Sequence, residues 1–363
     1  MIRLPALEPP LAAAPLPGVA GEATGEATGE PAGEGPELLR FAGRALGSRL
    51  KLFVSPPPGD PTDSCREAAD AAWAAVVAEF GAVDASLSRF RDDSELTALN
   101  RLAGSGGLAL VSWRLRTMIA TAHRAGRLTN GRFDATVLEV LECIGEHGAS
   151  MRTGPALPTS PGTSVPIALV PAGTPRASLV HVPDLPIDSG GIGKGLALRW
   201  AAAAATAALP HGAGLLLDAG GDVLCAGTPP AGGWLVGVED PLVPSGQPAE
   251  PLAACALRAG GVSTSSVAVR NWTGPDGRPV HHLIDPTIRE PARSGLVSVT
   301  VAGPDAAWNE VWSKALFLGG SESIGEEARR RGLAAWWVDE RGRLGMTPEA
   351  RVRSPWVDEE RVG

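Results

Sequence analysis

The chain has 363 residues, of which 46 are glycine and 33 are proline, and its formal net charge at pH 7 is −8. This length allows one large domain or two ordinary domains with a substantial core. The negative charge argues against a general nucleic-acid-binding protein, because phosphate contacts require a basic surface. No apolar run is long enough to cross a bilayer, and the first residues lack the apolar core of a signal peptide. We therefore expect a cytoplasmic protein.

Residues 1–37 consist mainly of Pro, Ala, Gly and Glu and contain a Gly-Glu-Ala-Thr repeat. Such a composition buries too little apolar surface to order itself, so we predict a disordered tail. Residues 150–175 are rich in Pro, Gly, Ser and Thr and are predicted to form a surface loop or an insertion. The four cysteines lie far apart without a C-x-x-C pair, which favours buried free thiols.

Hydrophobic periodicity and turn residues predict a mixture of strands and helices along the chain. The predicted helices are 66–80 with a continuation towards Leu87, a short one capped by Ser94 and ending at Asn100, 113–127, one ending at Ala208, and 308–318. The predicted strands are 41–54 (a strand or strand pair), 179–182, 234–238, 252–257, 296–302, 334–338 and 344–346.

A glycine-rich turn at residues 187–195 follows an apolar strand and precedes an alanine-rich helix. Glycine lets the backbone approach a ligand closely, and the N–H groups at a helix start favour a phosphate. Lys194 would add a positive charge, and Asp188 could bind a hydroxyl or amide of the same ligand. The spacing matches neither a P-loop nor a Rossmann fingerprint. On its own, the turn is equally compatible with a tight β–α turn whose lysine is solvated.

Other candidate residues lie in two short polar motifs. Phe133 and Asp134 follow an Asn-Gly turn, where the simpler interpretation is a helix C-cap with a capping aspartate. His282 and Asp285 are candidates for acid/base work, since an imidazole titrates near neutrality. The adjacent His281 would face the other way on a strand, so at most one of the two histidines can serve a given site.

Taken in order, these motifs resemble those of the ApbE-type FAD:protein FMN transferases, over about residues 43–320. The resemblance implies an α+β fold, related to the T-fold, in which residues 38–363 form a single large domain with two lobes around a flavin-nucleotide cleft. The matching segments are Ser88…Ser94-Glu95…Leu99-Asn100, Gly131 to Val137, Asp188…Gly190-Gly191-Ile192-Gly193-Lys194-Gly195, Gly220-Gly221-Asp222, Ser263-Thr264-Ser265, His282 to Pro286, and Ala315-Leu316-Phe317…Gly320.

The resemblance also implies a reaction. A threonine hydroxyl of a target flavoprotein would attack the FMN-side phosphorus of FAD, giving a phosphoester-linked flavin and AMP. Opening a pyrophosphate in this way requires positioning and charge stabilisation, with little covalent work by the enzyme. The partners would be FAD, as substrate, and the acceptor flavoprotein. Two alternatives stay open: an FAD pyrophosphatase that gives FMN and AMP, and a catalytically silent FAD-binding protein.

The resemblance assigns roles to individual residues. Leu46 stands where a methionine that touches the flavin is usual, and Ile284 and Asp285 would hold the other part of the nucleotide. His282 would take the threonine proton or lie beside that step. General-base catalysis of this kind typically raises the reaction rate by a hundredfold or more. The residues implied to bind FAD are Leu46, Arg132, Phe133, Asp134, Asp188, Lys194, Ile284 and Asp285.

A Mg²⁺ site is implied at Gly191, Glu310 and Lys314, where the family usually has a backbone oxygen, an Asp and a Thr or Ser. Glu310 keeps a carboxylate on a longer arm. Lys314 is unlike a ligand, because an ammonium cannot bind Mg²⁺. Either Lys314 turns away, or it replaces the cation electrostatically, or the metal and the activity are lost. Without the resemblance, Glu310 and Lys314 would be a plain i,i+4 surface pair.

Overall fold

The structure is a computed structural model, and it describes residues 2–3, 38–59, 62–146, 170–174, 177–244, 247 and 249–363. A short 3-10 helix spans Ala135–Val137. The α-helices are α1 (Thr62–Leu87), α2 (Glu95–Asn100), α3 (Trp113–Leu128), α4 (Leu138–Cys143), α5 (Gly193–Ala208), α6 (Ala306–Gly319), α7 (Ile324–Arg330) and α8 (Pro348–Val352).

The strands fall into three larger sheets and two short ladders. They are β1 (Ile2–Arg3), β2 (Leu39–Ala45), β3 (Ser48–Ser55), β4 (Leu108–Ser112), β5 (Val170–Thr174), β6 (Ala177–His181), β7 (Gly214–Ala219), β8 (Asp222–Gly227), β9 (Trp234–Val238), β10 (Ala253–Leu257), β11 (Gly260–Ser266), β12 (Asn271–Thr273), β13 (Pro279–His281), β14 (Ile284–Asp285), β15 (Glu290–Pro291), β16 (Leu296–Gly303), β17 (Ala334–Asp339), β18 (Leu344–Met346) and β19 (Trp356–Val357).

An antiparallel sheet of eight strands, in the order β18-β17-β16-β11-β8-β7-β3-β2, organises the fold. This sheet, together with the helices that cover it, confirms the α+β prediction. A three-stranded sheet (β19-β10-β9) and a four-stranded sheet (β1-β4-β6-β5) complete the arrangement. The two-lobe cleft implied by the resemblance stays a prediction.

Both faces of the large sheet are covered, and strand β7 shows why. Leu215 and Leu217 point to the face on which α1, α5 and α6 pack, whereas Leu216 joins the core on the opposite face. Alternate residues of a strand face opposite ways, so a continuous leucine run is buried on both sides. On the second face, Trp336 of β17 is fully buried against the core shared with the three-stranded sheet.

Most predicted elements are confirmed with ends shifted by a few residues. The segment 41–54 is the hairpin β2–β3, and Ser94 caps α2 by accepting a hydrogen bond from the N–H of Thr97 at 3.0 Å. Several elements were not predicted, among them strands β4, β7, β8 and β19 and helices α4, α7 and α8. The helices among them are at most seven residues long, too short for a periodic apolar pattern to be distinctive.

Two predicted segments lie mostly outside the described residues. Of residues 1–37, predicted to be disordered, the structure describes Ile2–Arg3, which pair in parallel with Ala109 and Leu110 of β4. Of residues 150–175, predicted to be a loop or an insertion, it describes Val170–Thr174, which form strand β5 beside β6.

Cys65, Cys225 and Cys255 are buried free thiols, as predicted, but Cys143 is exposed. The prediction was wrong for Cys143 because this residue ends the short helix α4, where the chain turns towards solvent. Within the described ranges, no helix combines the length and the apolar character that crossing a membrane would need.

Candidate active site

A cavity of about 2250 Å³ opens beside the glycine turn that precedes α5. This volume exceeds the roughly 300–1,000 Å³ of ordinary small-molecule pockets, so the cavity has room for a large ligand. Of the predicted site residues, the structure places Leu46, Arg132, Phe133, Asp134, Asp188, Gly191, Lys194, His282, Ile284, Glu310 and Lys314 around this cavity. Asp285 is not among the lining residues.

The glycine turn is hydrogen-bonded to the ends of two earlier helices. The amide of Asn100, at the end of α2, donates to the carbonyl oxygen of Ile187 at 2.8 Å and accepts from its N–H at 2.9 Å. The hydroxyl of Ser189 donates to the carbonyl oxygen of Leu87, at the end of α1, at 2.6 Å. The turn is therefore positioned before any ligand arrives.

Asp188 belongs to a buried network of charges. Its Oδ1 atom lies 2.9 Å from Nε of Arg89, and the guanidinium of Arg89 also pairs with Glu146. Glu146, which is 1% exposed, accepts a second ion pair from Arg270. The network therefore balances two guanidinium groups against two carboxylates on the cavity wall.

Two glycines let the turn approach its neighbours. A Cβ atom on Gly191 would lie 2.9 Å from Cε2 of Phe133, so the phenyl ring packs directly on the turn. A Cβ atom on Gly195 would lie 2.5 Å from Cα of Ala307, because the first turn of α5 crosses α6 at very short range. Only glycine fits at these two close approaches.

Four charged side chains meet where α5 and α6 cross. Lys194 pairs with Asp222, and Nζ of Lys314 lies 3.3 Å from Oε1 of Glu310. The other oxygen of Glu310 accepts the N–H of Gly195 at 2.9 Å. The Glu310 side chain is 1% exposed. Both simpler interpretations are therefore wrong. Lys194 has an ion-pair partner in Asp222, and the pair of Glu310 and Lys314 is not on the surface because Glu310 is buried.

Burial and charge act against each other at this crossing. Burial lowers the pKa of the Lys194 ammonium, but the carboxylates of Asp222 and Glu310 outweigh it, so the net pKa is raised. Burial raises the pKa of Glu310, and the nearby Lys314 opposes that shift only in part. Lys194 therefore stays fully protonated at neutral pH.

The donor set does not fit Mg²⁺. Both Glu310 oxygens already accept hydrogen bonds, one of them from the Lys314 ammonium. The stem of Lys314 is 3.7 Å from the Cβ position of Gly191, so it occupies the space between the turn and α6. Across the described ranges, no group of three or more His, Cys, Asp or Glu side chains is arranged to hold a metal. Of the three explanations for Lys314, that it turns away is excluded.

The two adjacent histidines have different surroundings. His281 uses both ring nitrogens on the backbone: Nε2 lies 3.0 Å from the carbonyl oxygen of Ala292, and Nδ1 accepts the N–H of Leu283 at 3.2 Å. Nδ1 of His282 lies 3.3 Å from the carbonyl oxygen of Arg270. A carbonyl oxygen only accepts, so Nδ1 of His282 carries the hydrogen, and Nε2 is the nitrogen that can take a proton.

His282 is held in its neutral form. Burial is the main cause, and the charges of Arg270 and Lys314 add to it, together lowering the pKa of His282 to about 2. Its ring is consequently a neutral imidazole at every pH near neutrality, with Nε2 unprotonated. The same two cations that depress its pKa line the cavity with it.

Three of the predicted cofactor-site residues have well-defined local roles. Leu46 and Gly47 form the tight turn between β2 and β3, with φ values of 47° and 73° that place Leu46 in the left-handed region. Arg132 pairs with Glu327 of α7. Ile284 is buried and contributes an apolar part of the cavity wall.

Two aspartates serve as caps. Asp134 accepts the N–H of Thr136 at 2.8 Å and begins the 3-10 helix. The simpler interpretation is confirmed, because the Asn-Gly turn follows the end of α3 and Asp134 is a capping residue, although the element that it caps is the one that follows. Asp285 accepts the N–H of Thr287 at 2.8 Å and lies outside the cavity lining, so its role in nucleotide binding stays a prediction.

Sequence reasoning missed the contributions of Arg89, Arg270 and Glu146. Arg89 lies beside a matched motif, and this proximity was its only signal. Glu146 follows a short helix and precedes residues rich in Pro, Gly and Ser, so nothing local identifies its carboxylate as buried. The pairing of Asp222 with Lys194, from a second glycine turn, was also not predicted.

Comparisons with known proteins cover most of the chain. Residues 47–337 match the model of the ApbE family. An FAD:protein FMN transferase of Klebsiella pneumoniae is 28% identical over 306 residues, which cover 78% of this chain and 82% of that protein. Another, of Salmonella typhimurium, is 28% identical over 301 residues, covering 76% of this chain and 80% of that protein.

Two crystal structures share the fold. The ApbE protein of Thermotoga maritima has a TM-score of 0.71 at 24% identity and covers 88% of this chain and 100% of its own. The flavinyl transferase ApbE of Pseudomonas stutzeri has a TM-score of 0.70 at 23% identity and covers 88% of this chain and 98% of its own. These likenesses agree with the α+β architecture described above. Because the family model matches most of the residues, this chain belongs to the ApbE family.

Proposed function

We propose that this protein is an FAD:protein FMN transferase, which moves the FMN moiety of FAD to a threonine hydroxyl of a target flavoprotein and releases AMP. The observation that carries the proposal is the convergence of the glycine turn, His282 and Lys314 on one cavity. The relatives named FAD:protein FMN transferase support it, since they align over about four fifths of their own length.

The cavity offers complementary surfaces to the parts of FAD. The N–H groups at the start of α5 and the Lys194 ammonium favour the diphosphate. Phe133 and Leu46 present apolar surface to the flavin rings, and Asp188 accepts a hydrogen bond from a ring amide or hydroxyl. Ile284 borders the adenosine part. In this arrangement the diphosphate lies nearest the charged crossing of α5 and α6.

The transfer step forms one P–O bond and breaks another. The threonine oxygen attacks the phosphorus on the flavin side, and the bond from this phosphorus to the bridging oxygen breaks. The electron pair of that bond leaves with AMP, and the hydroxyl proton passes to Nε2 of His282. The carbonyl oxygen of Arg270 holds the opposite nitrogen of the ring, so Nε2 keeps its orientation.

FAD itself adjusts the basicity of His282. In the ligand-free protein, burial and the charges of Arg270 and Lys314 hold the pKa of His282 at about 2. A bound diphosphate carries negative charge and offsets those two cations. The pKa of His282 therefore rises when the substrate is in place, which makes the ring a better base at the moment when it is needed.

The test is incubation of the purified protein with FAD and a threonine-bearing acceptor, in EDTA and in excess Mg²⁺. Mass spectrometry measures flavin attached to the acceptor, and chromatography measures AMP. An acceptor in which the threonine is replaced by valine is the matched control. We expect AMP and labelled threonine in equal amounts. If neither product forms in any condition, the protein is not a transferase for that acceptor class.

The Lys314–Glu310 pair supports a second candidate, a catalytically silent FAD-binding protein, because the pair stands where a metal would otherwise bind. That candidate predicts intact FAD that co-purifies with the protein and no AMP. Hydrolysis of FAD would instead give AMP and free FMN in the absence of any acceptor. The same assay distinguishes all three outcomes.

A further inference from the structure

Lysine is rare in this chain and is confined to one place. The sequence contains three lysines against 29 arginines, and Lys51, Lys194 and Lys314 all line the cavity. The two residue types are not equivalent, because an ammonium is a compact point charge whereas a guanidinium is a broad planar fork. A single position that needs a compact cation is therefore better served by lysine than by arginine.

Lys314 occupies the space that an ion between the glycine turn and α6 would fill. Its stem lies 3.7 Å from the Cβ position of Gly191, and its Nζ lies 3.3 Å from Oε1 of Glu310. Its side chain is 17% exposed, so the ammonium stays in contact with the cavity. The ammonium is thus placed to contact both the buried carboxylate and a ligand.

The charges at the crossing already balance. Two ammonium groups, of Lys194 and Lys314, face two carboxylates, of Asp222 and Glu310. A divalent cation at the same place would lie within a few ångströms of both ammonium groups, and like charges at that range repel strongly outside bulk water. Binding such an ion would require Lys314 to leave.

We propose that the protein binds the diphosphate of its flavin dinucleotide without a divalent cation, with the Lys314 ammonium in the cation's place. The inference rests on the proposed function, since that function supplies FAD as the ligand. When the diphosphate arrives, the ammonium contacts a phosphate oxygen while Glu310 keeps the N–H of Gly195 and the neighbouring charge of Lys194. Charge-assisted bonds of this kind are the strong ones.

The direct test measures binding and does not depend on turnover. FAD is titrated into the protein in EDTA and in excess Mg²⁺, and Mg²⁺ alone is titrated calorimetrically into the free protein and into its FAD complex. We expect the same FAD affinity in both buffers and no stoichiometric Mg²⁺ binding. An FAD affinity that rises roughly tenfold or more with Mg²⁺, or one bound Mg²⁺ per chain, overturns the proposal.

Two variants of Lys314 sharpen the test. Lys314→Met removes the charge and should weaken FAD binding in EDTA by roughly tenfold or more. Lys314→Thr also weakens FAD binding, but it frees Oε1 of Glu310 from the ammonium and offers a hydroxyl oxygen, so Mg²⁺ should restore the affinity. Arg330→Met, which removes an exposed charge from α7, is the matched control and should bind FAD as the wild type does. Unchanged FAD affinity of Lys314→Met in EDTA would contradict the proposal.

The transfer assay run beside these titrations separates the two claims. FAD binding that needs no metal, without any transfer, refutes the proposed function and leaves the binding inference standing. Transfer that occurs only with Mg²⁺, accompanied by Mg²⁺-dependent FAD affinity, supports the function and overturns the inference. Circular dichroism of each variant shows whether a loss reflects the missing ammonium or a failure to fold.

Discussion

The side-chain amide of Asn100 pairs with both polar main-chain groups of Ile187, at 2.8 Å and 2.9 Å. Ile187 immediately precedes Asp188, so this pair fixes the start of the glycine turn from a helix that lies 87 residues earlier in the chain. A side-chain amide suits this arrangement because its NH₂ group donates one hydrogen bond while its carbonyl oxygen accepts the other. The position of the turn therefore depends on the identity of Asn100.

Asn100→Asp should weaken FAD binding. A carboxylate cannot donate to the carbonyl oxygen of Ile187, so two acceptors would face each other. This change should lower the free energy of unfolding by about 1–3 kcal/mol. Fluorescence titration with FAD and urea unfolding measure the two effects. Asn271→Asp is the control, because Asn271 also donates to backbone carbonyls but is exposed at the start of β12. Equal losses in both variants would show that the Asn100 pair has no special role.

His282→Gln should lower the turnover of FAD by about a hundredfold or more and change FAD affinity little, since glutamine cannot take the hydroxyl proton. His281→Gln is the comparison. The His281 ring forms its hydrogen bonds with backbone groups, so its loss should reduce the stability of the protein more than the turnover of FAD. Single-turnover kinetics and FAD titration separate the effects. A His282→Gln enzyme with wild-type turnover would remove this side chain from the mechanism.

Stability should depend on pH through His282. Its pKa is about 2 in the folded protein and about 6.5 in an unfolded chain. Between those values the unfolded chain binds a proton that the folded protein does not, so stability falls as the pH drops, by about 1.4 kcal/mol per pH unit from this group. Urea unfolding at several pH values should show a shallower slope for His282→Gln. Identical slopes would contradict the neutral, buried state of the ring.

Gly195→Ala should destabilise the protein, by about 1–3 kcal/mol or more, because the new Cβ atom would lie 2.5 Å from Cα of Ala307 and would push α5 away from α6. Gly193→Ala, two residues earlier, is the matched control: its Cβ atom would meet only Ser189, at an ordinary 3.5 Å. Thermal unfolding of both variants measures the difference. Equal stability would show that the two helices can separate without cost.

The hairpin β2–β3, helices α1, α3, α5 and α6, and strands β16 and β17 of the large sheet could be predicted from hydrophobic periodicity and turn residues. Local patterns were sufficient there, because each element is long enough to show its own period. The order of the strands could not be read in this way. Strand β3, for example, pairs with β7, which begins more than 150 residues later, and no local feature of either strand specifies the other.

Within the candidate site, the residue types were predictable and their partners were not. Asp188, Lys194 and His282 were identified from motifs and Glu310 from the family resemblance, and all four line the cavity. The contacts that set their charge states come from distant residues, as Asp222 does for Lys194. A pair of this kind depends on how the sheet and α5 pack, which a linear pattern does not encode.

The confinement of lysine has a practical consequence. Primary amines react with formaldehyde and a mild reductant to give dimethylamines, whereas guanidinium groups do not. Because Lys51, Lys194 and Lys314 all line the cavity, carbon-13 methylation would place every side-chain label of this chain at the candidate site. Apart from the N-terminal amine, each methyl resonance would then report directly on what enters that space.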